Sequence, residues 1–163
     1  MMKESVFYGE VTNVRDVALE ISIPLDQEGF IEMECDFCKN RFMIHQDVYE
    51  CDDNINFFCP ICGLPNKINT FFVPEILEKA QQMAVNYMLD ELDQTLEKSI
   101  KQINKSGLIK MSIKKPKREV EKKLYTPFIS YSKCVKRCCS IDVKITNIDI
   151  ETGTYCPICG RME

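Results

Sequence analysis

The chain has no tryptophan, only one histidine and no apolar run long enough to cross a bilayer. Its first thirty residues mix charged and apolar side chains, so we expect no export signal. It also lacks a glycine-rich phosphate loop, and one histidine leaves few candidates for the base that a nucleophilic cysteine requires. These absences predict a cytoplasmic protein that is not an enzyme and that binds neither a membrane nor a small-molecule substrate.

Charge is distributed unevenly along the 163 residues, although the net charge is only −4. Residues 1–100 carry 7 basic and 19 acidic side chains, whereas residues 101–163 carry 14 and 6. One basic stretch is either a solvated face that attracts the acidic half or a contact for nucleic acid. The pI of 5.2 favours the first interpretation. The candidate phosphate-binding residues are Lys110, Lys114, Lys115, Lys117, Arg118, Lys122 and Lys123.

Ten cysteines in a chain without an expected export signal favour metal ligation in a reducing compartment over disulfide bonds. An aromatic residue followed by Cys-Pro-Ile-Cys-Gly occurs twice, at residues 58–63 and 155–160. Proline fixes φ within such a turn, and the glycine permits a positive φ where the turn ends. Each phrase is preceded by further cysteines at a distance typical of a four-cysteine metal site.

The first group of cysteines consists of two pairs, each with two intervening residues, separated by 20 residues. Alternating apolar residues between the pairs predict a β-hairpin that joins two cysteine turns. The predicted ligands are Cys35, Cys38, Cys59 and Cys62.

Together with Pro60 and Gly63, the first group resembles zinc ribbons of the transcription-factor-IIB and rubredoxin-knuckle type. This resemblance covers roughly 40 residues and implies a zinc ribbon, a fold that serves in binding DNA, RNA or proteins. A closed four-cysteine site has no open position for water or substrate, so we expect a structural Zn²⁺. Iron, as in rubredoxin, is the alternative metal.

The second group offers Cys134, Cys138 and Cys139 for two ligand positions, before the pair Cys156 and Cys159. After Cys38, the inward apolar residues of the hairpin stand four and six positions on, and the same offsets from Cys139 give two apolar residues, Val143 and Ile145. This register favours Cys139, paired with Cys134. The alternative is that Cys138 takes the place of Cys139. The predicted second set is Cys134, Cys139, Cys156 and Cys159.

A long amphipathic helix is predicted from about Glu75 to Ile103, after a closing strand at residues 67–73 and with Pro74 in its first turn. No glycine or proline interrupts the run, so two helices broken near Asp93 are only the alternative. The narrow apolar stripe of its second half favours a partner helix, hence a homodimer through residues 75–103. The stripe consists of Leu77, Ala80, Ala84, Met88, Leu92, Leu96, Ile100 and Ile103.

The chain is therefore predicted to be α+β, with two small antiparallel β zinc ribbons joined by the long helix and two Zn²⁺ per chain. The predicted units are N-terminal strands with the first ribbon (1–73), the helix (74–105), a basic strand or linker (106–126) and the second ribbon (127–163). The favoured function is a non-catalytic protein-interaction or regulatory module whose partner is another protein or a second copy. Nucleic-acid binding through the basic stretch Lys110–Lys123 is the alternative.

Overall fold

The computed structural model describes residues 4–10, 18–50, 56–105, 110–120, 122–125 and 129–163, with the backbone alone for residues 4–10, 18 and 19. Small antiparallel sheets with one long helix between them make the chain α+β, as predicted. The elements are β1 (Glu4–Glu10), β2 (Ala18–Pro24), β3 (Phe30–Glu34), β4 (Arg41–His45), α1 (Gln46–Tyr49), β5 (Phe57–Phe58), β6 (Pro65–Asn66), α2 (Pro74–Lys105), β7 (Ser132–Lys136), β8 (Ile141–Ile145) and α3 (Asn147–Thr152).

The two predicted ribbons are not separate heads at the two ends of a helix. Their hairpins, β3–β4 and β7–β8, lie side by side in one antiparallel sheet with the order β3-β4-β8-β7. Strands β4 and β8 pair through Met43 with Lys144 and Ile44 with Val143. The helix therefore separates the two halves in sequence but not in space.

The two hairpins have the same register and can be matched residue by residue. Cys38 corresponds to Cys139, and the next residue has a positive φ in both, 58° at Lys39 and 53° at Ser140. The hairpins end alike, because His45 caps α1 and Thr146 caps α3 through their side chains. In this correspondence Met43 matches Lys144, and these two residues pair across the sheet. An approximate two-fold axis therefore passes between β4 and β8.

The core lies under this shared sheet and draws on both halves. Phe42 and Ile44 of β4 and the matching Val143 and Ile145 of β8 are all fully buried. These four side chains stand at the alternating positions that the sequence predicted to face inwards. Burial of a side chain of this size stabilises a fold by about 1.5–3 kcal/mol, so the pairing of the two hairpins is itself a major source of stability.

Helix α2 is continuous across Asp93, and at 1.5 Å per residue its 32 residues extend about 48 Å. Ile76 in its first turn packs into the core. A short 3₁₀ helix, Ile68–Phe71, precedes it where the sequence predicted a strand. None of the described helices is long and apolar enough to span a membrane.

Candidate metal centres

The first cluster contains the four cysteines that the sequence predicted: Cys35, Cys38, Cys59 and Cys62. Their sulfurs lie within 4.8 Å of one another, with 3.7 Å between Cys35 and Cys62 and 3.8 Å between Cys38 and Cys59. A tetrahedral ion with Zn–S bonds of about 2.3 Å separates its sulfurs by about 3.8 Å. The donor set and its spacing therefore fit a zinc ion.

Backbone turns hold these sulfurs in place. The N–H groups of Ile61 and Cys62 both point at the Cys59 sulfur, at 3.4 Å, and Gly63 closes the turn by donating to the Cys59 carbonyl. Gly63 has a φ of 72°, a conformation that side chains other than glycine rarely adopt. The glycine of the repeated phrase is thus required by the turn, as its position in the sequence suggested.

The thiols of the first cluster differ in their acidity. Burial alone would raise the pKa of Cys35, but the N–H groups of Cys38 and Phe37 donate to its sulfur and bring the pKa below the usual value. Burial raises the pKa of Cys38 to about 11 and also raises the pKa of Cys59. A metal ion must displace the protons of these two thiols, so its binding releases protons.

The second cluster consists of Cys138, Cys139, Cys156 and Cys159, whose sulfurs also lie within 4.8 Å of one another. Cys138 and Cys139 stand in the turn between β7 and β8, and the Cys138 sulfur lies 3.4 Å from that of Cys159. The structure thus groups Cys139, Cys156 and Cys159 of the predicted set.

The structure places Cys138, and not the predicted Cys134, in the fourth position. Cys134 lies in the middle of β7, where it matches Met33 of β3 and packs against the core. Its sulfur is not among the four that lie within 4.8 Å of one another. This grouping differs from the predicted set at Cys134 and agrees with it at Cys139.

Exposure and acidity also vary within the second cluster. Cys159 is exposed, and the N–H of Arg161 donates to its sulfur, which lowers its pKa to about 7. Desolvation raises the pKa of Cys139 to about 11 and also raises the pKa of Cys138. As in the first cluster, one acidic thiol stands beside others that a metal ion must deprotonate.

The two repeated phrases touch each other through reciprocal contacts. The N–H of Phe58 donates to the Pro157 carbonyl, and the N–H of Tyr155 donates to the Pro60 carbonyl, both at 2.8 Å. A Cβ atom on Gly160 would lie 2.8 Å from the Phe58 ring, and one on Gly63 would lie 2.9 Å from the Tyr155 ring. Each metal turn therefore supports the other across the same two-fold axis.

The basic stretch lies along α2, so part of its charge is used within the chain. Lys115 pairs with Glu97 at 2.8 Å, and Lys122 pairs with Glu78. Arg118 donates to Asp90 and to the buried carboxylate of Asp93, both at 2.6 Å. The predicted strand in this stretch is absent from residues 110–114. The remaining candidates, Lys110, Lys114, Lys117 and Lys123, have exposed side chains.

Two residues around the second cluster were not among the predicted site residues. Lys136 is 1% exposed, and its ammonium group donates to the side chain and carbonyl of Thr154. The Glu163 carboxylate accepts from the N–H groups of Arg137 and Cys138, each at 3.0 Å. The matched register of the hairpins was the signal available for Lys136, because it puts this lysine where the first half has Cys35.

No known protein family, curated protein or solved structure matches this chain.

Proposed function

We propose that the protein is a non-catalytic cytoplasmic interaction module, built on two zinc ribbons that each hold one structural Zn²⁺, and that it acts as a homodimer through α2. Two closed sets of four thiols support zinc, which prefers tetrahedral sulfur coordination and leaves such a site without an open position for catalysis. The observation that carries the interaction is the exposed apolar face of α2.

The exposed apolar face of α2 consists of large apolar side chains that are each at least 40% exposed. Met88 and Leu92 are 58% and 56% exposed, although both are large and apolar. The ribbon core contacts α2 on the side of Ile76, and the basic stretch contacts it on the side of Asp93. The exposed apolar face is formed by Leu77, Val85, Met88, Leu92, Leu96 and Ile103.

The pattern of this face favours a second copy of the same helix in the antiparallel direction. If the two helices cross at Gln94, Leu92 of one copy lies opposite Leu96 of the other, and Val85 lies opposite Ile103. Glu91 and Lys98 stand seven residues apart on the same flank of this face. In an antiparallel dimer, Glu91 of each copy would therefore lie near Lys98 of the other. Burial of each leucine in this interface would stabilise the dimer by about 1.5–3 kcal/mol.

Sedimentation equilibrium of the zinc-loaded protein tests this proposal. We expect a particle of twice the chain mass of 18.9 kDa for the wild type and a single chain for Leu92→Glu. The matched control is Val120→Glu, which places the same charge on an 89% exposed valine outside the face and should remain dimeric. A monomeric wild type, or a Leu92→Glu variant that remains dimeric, would contradict it.

Nucleic-acid binding is a second candidate, supported by the exposed side chains of Lys114 and Lys117. Substitution of both by glutamate should abolish oligonucleotide binding and its salt dependence while leaving the pairs of Lys115 and Arg118 with α2 intact. The control is glutamate at Lys39 and Lys67, which changes the net charge equally elsewhere. Equal binding by the two double variants would reject this candidate.

A further inference from the structure

The correspondence between the halves shows that the cysteine turn between β7 and β8 is not a copy of the turn between β3 and β4. Cys35 follows the last residue of β3, and the matching position in the second half is Lys136. Lysine at that position carries no sulfur and directs its ammonium group to Thr154. The second half therefore has no thiol where the first half has Cys35, and its fourth thiol is that of Cys138, two residues further on.

The hydrogen bonds that hold this turn also differ between the two halves. In the first half the N–H groups of Phe37 and Cys38 donate to the Cys35 sulfur, so the metal ligand itself organises the turn. In the second half the N–H groups of Arg137 and Cys138 donate to the Glu163 carboxylate instead. This turn is thus held by a carboxylate that belongs to no metal cluster of the described chain.

The cysteines of the second cluster are also more exposed to solvent than those of the first. Two of the four sulfur-bearing residues of the first cluster, Cys35 and Cys59, are buried, and the other two are half-buried. In the second cluster Cys156 alone is buried, whereas Cys159 is exposed. An incoming ligand can approach an exposed sulfur and its metal bond, while a buried one is shielded by the core.

We propose that the second cluster is an exchange site for a sulfur-preferring divalent cation such as Zn²⁺ or Cd²⁺, whereas the first cluster holds its ion as a permanent part of the fold. This inference rests on the proposed binding of zinc by both clusters. In the exchange step an external chelator forms bonds to the ion as the bonds to Cys159 and then to the other thiolates break. The freed thiolates take up protons, and no electrons are transferred.

Zinc release from the full-length, zinc-loaded protein to excess 4-(2-pyridylazo)resorcinol tests the proposal. Metal analysis comes first, because a content other than two ions per chain would contradict the proposed function and not only the exchange. With two ions present, we expect two phases of one ion each, with the fast phase at least tenfold faster than the slow one. A single phase for both ions would overturn the exchange proposal.

A ligand swap identifies the cluster that gives the fast phase. The double variant Lys136→Cys with Cys138→Ser moves the fourth thiol to the position that it has in the first half. We expect the fast phase to slow at least tenfold, and an unchanged fast phase in a variant that binds two ions would overturn the proposal. Glu163→Gln keeps the acceptor but loses its charge, and we expect it to accelerate the fast phase and leave the slow one unchanged.

If the double variant fails to fold, a measurement on the wild-type protein tests the same proposal. With ¹¹³Cd in both clusters, each signal is assigned by its coupling to the cysteine β-protons. On addition of Zn²⁺ we expect the signal coupled to Cys159 to disappear before the signal coupled to Cys59. Simultaneous loss of the two signals, or the reverse order, would overturn the proposal.

Discussion

The two halves of the shared sheet have the same strand register and the same Cys-Pro-Ile-Cys-Gly turn, but different side chains stabilise them. In the first half Phe57 stacks on Phe42 with ring centroids 6.2 Å apart and meets Phe71 edge-on at 5.2 Å. The positions that match Phe57 and Phe42 in the second half hold Thr154 and Val143. The first half thus combines its cluster with aromatic packing, whereas the second has smaller side chains and a buried lysine beside its cluster.

One backbone arrangement therefore accommodates two kinds of interior. Aromatic pairs add stability beyond the area that they bury, and they do so without a metal. A buried ammonium group adds little to stability, because its hydrogen bonds mainly replace those that it made to water. The contact of Lys136 with Thr154 therefore chiefly avoids the desolvation penalty of an unpaired buried donor. We therefore expect the matched core residues of the two halves to contribute unequally to stability.

Removal of both ions should have the largest effect. Structural zinc contributes about 10–16 kcal/mol to the folding of small zinc peptides, and neither half has an extensive core of its own. We expect excess chelator to abolish the β-sheet signal in circular dichroism and added Zn²⁺ to restore it. A spectrum that is unchanged after complete metal removal would contradict the dependence of both halves on metal.

Truncation of the matched core residues should show the difference in packing. Phe42→Ala removes a ring that contacts two other rings and should lower the free energy of unfolding by about 3–5 kcal/mol. Val143→Ala removes two methyl groups at the matching position and should cost about 2 kcal/mol. Urea unfolding of the zinc-loaded variants measures both values. Equal losses would show that the two interiors are packed alike.

The sequence predicted the local features well, because they depend on neighbouring residues. Two cysteines around Pro-Ile with a glycine after them specify a metal turn, and Gly63 and Gly160 both have the positive φ that this pattern requires. The continuous course of α2 followed from apolar spacing without glycine or proline. Cys139 was identified because Val143 and Ile145 stand where an inward-facing strand needs apolar residues.

Long-range features could not be predicted from such patterns. The pairing of β4 with β8 joins Ile44 to Val143, and nothing in the local sequence indicates which strand edges will meet. Cys134 was assigned to the metal because its spacing from Cys139 suits a ligand pair. Spacing alone does not show whether a cysteine lies in a turn or in the core. His45, which was not assigned to the metal, caps α1 by accepting from the N–H of Asp47. Cys51, the one cysteine between the two pairs of the first group and not a predicted ligand, lies outside the described residues.

Alanine at the two turn glycines tests the symmetry of the metal turns. Gly63→Ala and Gly160→Ala each force a side chain into a positive φ and against an aromatic ring, so each should cost about 1–3 kcal/mol. We expect the two losses, measured by urea unfolding with zinc bound, to agree within about 0.5 kcal/mol. A large inequality would mean that only one turn is held by the other.

A double-mutant cycle separates the ring contact from the backbone strain in these variants. In a Phe58→Leu background the cost of Gly160→Ala should fall, because the ring that its Cβ would meet is gone. The cost of Gly63→Ala should stay the same in that background, because Gly63 faces Tyr155. A fall in both costs would place the effect in the backbone of the turns and not in the ring contacts.

The smallest expected effect lies at the axis, where Lys144 stands opposite its counterpart Met43. Lys144 bonds to Asp26 at 2.5 Å and lies 4.3 Å from the centre of the Phe30 ring. Lys144→Met makes the axial pair identical and, as measured by urea unfolding with zinc bound, should cost about 1 kcal/mol by removing a partly buried charged bond. Lys133→Met removes a more exposed pair with Asp142 and should cost less.

The pH dependence of this cost follows from the acidity of Asp26. Burial alone would raise the pKa of Asp26, but the bond from Lys144 and the N–H donors of Phe30 and Glu28 bring the pKa below its usual value. A lowered folded-state pKa contributes stability that is present above the unfolded-state pKa and is lost as pH falls through the folded-state pKa. The difference between the wild type and Lys144→Met should therefore stay constant from about pH 6 to 8. A difference that changes across this window would assign the stabilisation to a group other than Asp26, since the carboxylate is fully charged throughout it.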